Sequence, residues 1–200
     1  MLIKAIPVGH LETNCYVVTD EESLLCAVID PGDESNAILD YLEENRLQCK
    51  AILLTHGHFD HTGAVRALME ETGAPLFMSA ADSGKDGPNK FDAPEGTNYL
   101  SDGAKIEVGA LCFQVLTTPG HTPGGLSYVC GEALFTGDTL FRDSCGRTDL
   151  KGGDMQTELK SLRRLGQLPG DYEVYPGHME ATTLERERKF NRYMLAALGQ

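Results

Sequence analysis

Residues 56–61 read His-Gly-His-Phe-Asp-His, setting three imidazoles and one carboxylate within six positions at the end of the aliphatic run "AILLT". Imidazole nitrogen and carboxylate oxygen are the ligands of catalytic zinc, manganese and iron sites. His56, His58, Asp60 and His61 also stand too close together to share one face of a core. A structural alternative has His56 and His58 closing a strand while Asp60 caps the helix that follows. Capping and ligation are compatible, and the density of ligand types favours a metal.

The remaining candidates recur in one setting, at strand-to-loop exits beside glycine: His121 in "TTPGHTPGG", Asp138 in "FTGDT" and His178 in "VYPGH". A sandwich that gathers these strand ends on one edge would add three ligands to the first cluster. Seven ligands suit two divalent cations, and a carboxylate such as Asp138 can bridge cations held roughly 3.5–4 Å apart. Gly120, Gly137 and Gly177 precede these ligands, where a tight backbone lets them turn inward. Thr55 and Thr118 could hydrogen-bond the ligands or simply pack at strand ends. His10, in "PVGHLETNCY", is left over and reads as a turn residue.

Two cations sharing a water lower its pKa towards neutrality, so a bridging hydroxide is the expected nucleophile and acyl-transfer hydrolysis the natural reaction. Asp60 and Asp138 are the carboxylates expected to act in catalysis, Asp138 as the bridge and Asp60 as the one acid in reach. A thiolate, with a parent pKa of about 8.5, departs unprotonated, whereas an amine needs a proton, which favours a thioester or activated ester over an amide.

The elements that must position these groups follow from the patterning. "LIKAIPV", "NCYVVTD" and "LLCAVIDPGD" read as strands, residues 34–46 as an amphipathic helix, "KAILLTH" as a buried strand and "DHTGAVRALMEETG" as a second helix. "ALCFQVLTTPGH", "GLSYVC" and "EALFTGD" are strands, "DMQTELKSLRRLG" a helix, "YEVYPGH" a last strand, and a terminal helix runs from about Thr183 to Leu198. Strands closed by helices in both halves predict two packed sheets covered outside by helices, in one domain over 1–200. The polar, Gly/Pro-rich residues 82–103 read as a loop crossing between the halves, of the kind that often rims a site.

Composition narrows the partners. A formal charge of −13 and a pI near 4.8 oppose nucleic acid and anionic membrane surfaces, leaving a small-molecule substrate. No apolar run reaches the roughly 18 residues of a membrane span, and the N-terminus lacks a signal-peptide pattern. Six cysteines without a C-x-x-C pair fit free thiols in a reducing compartment, so a cytoplasmic location is expected. The sequence leaves the oligomeric state open.

"THGHFDH", "TPGHTPGG", "FTGDTLF", "CGRTD" and "YPGH", in that order, resemble the metallo-β-lactamase superfamily and within it the glyoxalase II-like hydrolases. The resemblance implies a four-layer αββα sandwich. It also implies that His56, His58 and His121 bind one metal, that Asp60, His61 and His178 bind the other, and that Asp138 bridges both. Zinc is the first expectation, with iron or manganese able to use the same ligands. The implied substrate is a hydroxyacyl-glutathione thioester, with Arg147 of "CGRTD" at the basic substrate-binding position. The chain departs from full-length relatives in three ways: it ends about 22 residues after His178 without their C-terminal helical domain, Asp149 replaces an aromatic, and Glu180 replaces a tyrosine. Alternatives on this fold are a mononuclear iron persulfide dioxygenase and a lactone or other ester hydrolase. An exported lactamase is disfavoured by the N-terminus and by Asp138, where those enzymes commonly carry cysteine.

Overall fold

The computed structural model describes residues 1–84 and 91–199. In the first half, β1 (Leu2–Val8), β2 (Thr13–Asp20) and β3 (Leu25–Ile29) form an antiparallel meander. Helix α1 (Ser35–Glu44) then crosses to β4 (Gln48–Leu53), and α2 (Phe59–Thr62) with α3 (Val65–Thr72) crosses to β5 (Leu76–Met78). β4, β5 and β6 (Asn98–Tyr99) continue in parallel, giving a six-stranded sheet in sequential order.

The second half opens with β7 (Lys105–Val108), β8 (Leu111–Thr117), β9 (Leu126–Cys130) and β10 (Ala133–Gly137). A small hairpin of β11 (Leu140–Phe141) and β12 (Ser144–Cys145) leads to α4 (Met155–Gly166), followed by β13 (Glu173–Pro176), β14 (Thr182–Thr183), α5 (Leu184–Phe190) and α6 (Arg192–Leu198). The second sheet has the order β14-β13-β10-β9-β8-β7, with β13 parallel to β10.

Every residue of β2 is buried, because both faces of its sheet are covered. Val17 faces out and packs with Val28 and Ile52 against Ile38 and Leu42 of α1 and Val65 and Leu68 of α3. Val18 faces in and meets Ile29 and Leu53 of its own sheet and Phe113, Tyr128 and Phe135 of the other. A third cluster joins Leu134 and Val174 to Leu162 and Leu165 of α4 and Met194 of α6. Helix, sheet, sheet and helix are thus stacked as the αββα sandwich that the motifs implied.

Two expected helices are broken. The helix expected over "DHTGAVRALMEETG" divides after Thr62 because the Ala64 amide donates to the Pro31 carbonyl (2.9 Å) instead of continuing the helical ladder. The terminal helix divides at Asn191, whose buried side chain caps α6 and donates to the carbonyls of Phe141 and Ser144. The segment 82–103 does cross between the sheets and contributes β6 at an edge. Residues 85–90 of it lie outside the described ones.

Candidate metal centre

The C-terminal ends of β4, β8, β10 and β13 meet at one edge of the sandwich. Backbone bonds between the sheets hold that edge closed: the Leu126 amide donates to the Thr55 carbonyl and the Asn14 amide to Gly177, each at 2.8 Å, while within the second sheet the Gly177 amide donates to Gly137 at 2.8 Å. Tyr128 and Tyr16 add hydroxyl bonds to the carbonyls of Leu54 (2.6 Å) and Pro176 (2.7 Å). His56 follows β4, His121 lies in the β8–β9 turn, Asp138 follows β10 and His178 follows β13. All seven expected ligands come together there.

His56, His58 and His121 form one group and Asp60, His61 and His178 another, with the ligand atoms inside each group within 4.8 Å of one another. In the first, His58 Nδ1 lies 2.9 Å from His121 Nε2. In the second, Asp60 Oδ2 lies 3.2 Å from His178 Nε2 and 3.5 Å from His61 Nε2. Asp138 stands between them, Oδ1 at 3.5 Å from His61 Nε2 and Oδ2 at 3.5 Å from His121 Nε2.

The outward ring nitrogens are committed, which fixes the inward ones. His61 Nδ1 bonds Asp30 Oδ2 (3.0 Å), His121 Nδ1 the Arg147 carbonyl (2.7 Å) and His178 Nδ1 the Leu11 carbonyl (3.2 Å). Burial opposes a charge on His61, but the carboxylates of Asp138 and Asp30 outweigh it and push the ring up to about 9, and the bond to Asp60 raises His178. A cation would therefore displace a proton from His61, and a proton kept on Nδ1 would then leave Nε2 its lone pair for the metal. His56 Nε2, His61 Nε2 and Asp138 Oδ1 are buried and make no hydrogen bond. Buried polar atoms without partners are costly, so several converging on one point fit cations. This donor set could hold two divalent ions.

Residues 8–178 match the metallo-beta-lactamase superfamily. The chain belongs to that superfamily of metallohydrolases. Hydroxyacylglutathione hydrolase GloC of Haemophilus influenzae is 34% identical, with 97% of this chain and 98% of that protein covered. Among solved structures, the B3 metallo-beta-lactamase BLEG-1 is 33% identical at a TM-score of 0.87, covering 96% of this chain and 99% of its own. TTHA1623, solved in a di-iron-bound form, is 37% identical at a TM-score of 0.83, covering 95% and 99%.

In this member of the superfamily, a further group of Asp30, His56 and His61 also comes within ligand range. Asp30 is already engaged: Oδ1 accepts from the Thr55 amide (2.7 Å), and Oδ2 meets Thr55 Oγ1 (2.6 Å) as well as His61. It orients His61 from the side away from Asp60 and Asp138. Thr55 therefore supports the site, touching both Asp30 and His56 Nδ1 (3.1 Å). Thr118 instead bonds Ser127 and is strand-end packing. Asp60 does not cap α2; His58 occupies the cap position, without a side-chain bond, and Asp60 sits in the first turn.

Two supports have no counterpart in the sequence expectations. Asp82, fully buried, accepts from the amides of Gly57 (3.0 Å) and Gly124 (2.7 Å) and from Thr122 Oγ1 (2.7 Å), tying the His-Gly-His turn to the His121 loop. Glu158 of α4 accepts from the His121 amide (2.9 Å), and burial pushes its carboxyl up to about 9, so it is neutral at pH 7. A signal for Glu158 was present: it shares the buried stripe of Ser161, Leu162 and Leu165.

Burial, then the neighbouring imidazoles, lower His56, and the same causes take His58 down to about 4. Both rings are neutral at pH 7, the form that binds metal. Burial opposes ionisation of Asp60, but the bond from His178 and the charge of His61 outweigh it and hold the carboxyl low.

The centre opens into a cleft of about 600 Å³ whose wall includes Leu11, Phe59, Phe141, Arg147, Leu150 and Met179. The guanidinium of Arg147 grips Asp149 with two bonds, Nε to Oδ1 at 2.7 Å and Nη2 to Oδ2 at 2.8 Å. His10 lines a neighbouring cavity and joins no ligand group. The described part of the 82–103 segment does not line the cleft. All six cysteines are free thiols, and no helix among the described residues is long and apolar enough to cross a membrane.

Proposed function

We propose that the protein is a two-metal hydrolase of small thioesters, with hydroxyacyl-glutathione among the first substrates to assay. The observation that carries this reading is Asp138, which stands within reach of both triads: Oδ1 faces His61 of the second, and Oδ2 lies between His121 of the first and His178 of the second. His56, His58 and His121 would hold one cation, Asp60, His61 and His178 the other, and Asp138 would contact both. Zinc or iron suits this His and Asp set, and the di-iron form of TTHA1623 supports a pair of ions. Two bound ions supply an activated water at neutral pH and a Lewis acid for a carbonyl oxygen.

The chain's own residues set the geometry for that chemistry. Asp30 and the carbonyls of Arg147 and Leu11 hold the Nδ1 atoms of His61, His121 and His178 and so aim their Nε2 atoms inward, where a cation would replace a proton. Thr13 Oγ1 donates to Asp60 Oδ2 (3.2 Å), fixing the orientation of that carboxylate. Among the described residues lining the cleft, Asp60 and Asp138 are the only carboxylic acids, and both belong to the ligand set. A thiolate leaving group, with a parent pKa of about 8.5, needs no further acid, which supports a thioester over an amide. The likeness to GloC points the same way.

Metal analysis of the purified protein should give two ions per chain, with hydrolysis of S-lactoylglutathione or of a thioester lacking the glutathione peptide. A β-lactam belongs in the panel because of the likeness to BLEG-1. His58→Ala should abolish hydrolysis while circular dichroism stays native; full activity in that variant would overturn the reading. One iron per chain with oxygen consumption on a persulfide would replace it with a dioxygenase.

A further inference from the structure

The cleft above the metal centre is apolar in a way the metal chemistry does not require. Four of the ten large apolar side chains that stand exposed among the described residues line it: Phe59 (66% exposed), Met179 (57%), Leu11 (46%) and Leu150 (40%). They come from four separate segments, so no single amphipathic element explains their meeting. Exposed apolar side chains gathered around one opening mark a binding surface, whereas scattered ones are ordinary.

The backbone of two of these residues is held in place. Met179 has a left-handed backbone, φ 66°, which costs a residue other than glycine of order 1 kcal/mol or more. Asn14 Nδ2 keeps that turn by donating to the carbonyls of Pro176 (3.0 Å) and Met179 (2.9 Å). Leu11 is anchored through its carbonyl to His178. The apolar mouth is therefore built on the loops that carry the ligands.

Charge points the same way. Apart from histidine, Arg147 is the one cationic side chain among the described residues lining the cleft, and Asp149 already fills its two-pronged grip. A substrate carboxylate that sought Arg147 would meet a guanidinium whose two-pronged edge Asp149 already holds and whose charge it already offsets, so the gain would be small. The overall charge of −13 further opposes an anionic substrate.

Building on the thioesterase reading, we infer that the substrate carries an uncharged apolar group beside the scissile thioester. Phe59, Leu11 and Met179 bind that group, and Asp149 excludes carboxylate-bearing substrates by masking Arg147. The apolar group can belong to the acyl or to the thiol side, and two substrate series separate these sources.

One series lengthens the acyl chain from acetyl to hexanoyl on N-acetylcysteamine. The other lengthens the thiol from ethanethiol to hexanethiol in acetyl thioesters. The kcat/KM should rise about two- to threefold per methylene along one series, less than full burial of a CH₂ would give because the cleft is open. Phe59→Ser, at an exposed position, should flatten that rise. Asp149→Ala should raise kcat/KM for a succinyl thioester relative to its butyryl analogue, several-fold, by freeing Arg147. Calorimetry on the metal-loaded protein supplies a readout without turnover, with hexanoate binding more tightly than acetate, or hexanethiol more tightly than ethanethiol. Length-independent rates and binding in both series, or a preference for S-lactoylglutathione over every apolar thioester, would overturn the inference while leaving the hydrolase reading intact. Length-dependent binding with no hydrolysis would sustain the inference about the cleft and remove the hydrolase reading.

Discussion

Asp30 Oδ2 lies 3.0 Å from His61 Nδ1, and both side chains are almost wholly buried, at 2% and 0% exposed. The pair links the turn after β3 to the second ligand triad. Its carboxylate, with Thr55, fixes which face of the His61 ring looks at Asp60 and Asp138. Asp30→Asn puts an amide donor where one donor already points. Metal affinity of the Asp60–His61–His178 triad should fall about 10- to 100-fold while the His56–His58–His121 triad keeps its own. Metal titration read by calorimetry should therefore split into one tight and one weak event. A lowered melting temperature without that split would reduce Asp30 to a structural role.

Gly177 precedes His178 and leaves room for the ligands behind it. A Cβ at this position would stand 2.3 Å from Asp138 Oδ1 and 2.8 Å from His61 Cε1. Gly177→Ala should displace Asp138 and lower both metal content and hydrolysis, with an overpacking cost of about 1–3 kcal/mol. Gly170→Ala is the contrast, since nothing lies within 4 Å of its added Cβ and only its positive φ is strained. It should lose stability at constant metal content. Unchanged metal content in Gly177→Ala would show that the bridge tolerates the shift.

Seven ligands drawn from both sheets and their connections make metal binding a clamp across the sandwich. Cations that bind only the folded chain stabilise it by about 2.7 kcal/mol at a free concentration 100 times Kd, which for a chain of this size corresponds to about 5–10 °C. Treatment with a chelator should lower the melting temperature by that order, and re-addition of zinc or iron should restore it. A melting temperature indifferent to chelation would mean that the two halves hold the site without help from the ions.

Much of the site was legible because its chemistry is concentrated in residue types that seldom cluster. His56, His58, Asp60 and His61 are adjacent in sequence, and His121, Asp138 and His178 share a strand-exit glycine context. The supports were not legible in the same way. Asp82 and Glu158 belong to residue types usually found at the surface, and they act through backbone amides whose positions no motif records. The cap role that the structural alternative gave Asp60 falls to His58, because α2 starts at Phe59 and Asp60 lies inside its first turn. The short strands β5, β6, β11 and β12 escaped periodicity because two or three residues cannot display a period. Arg147 had a place in a motif, but only the folded loop shows that Asp149 holds its guanidinium.

Donor identity and number, the strand-exit glycines and the alternating apolar pattern are local properties of the chain, so the sequence alone determined a layered α/β sandwich with a metal-ligand set. Which nitrogen of each histidine faces inward, which groups pin those rings and which apolar side chains surround the opening are relations among residues up to 167 positions apart. Only the stacking of two sheets could decide them, because each depends on a partner that the other half of the chain supplies.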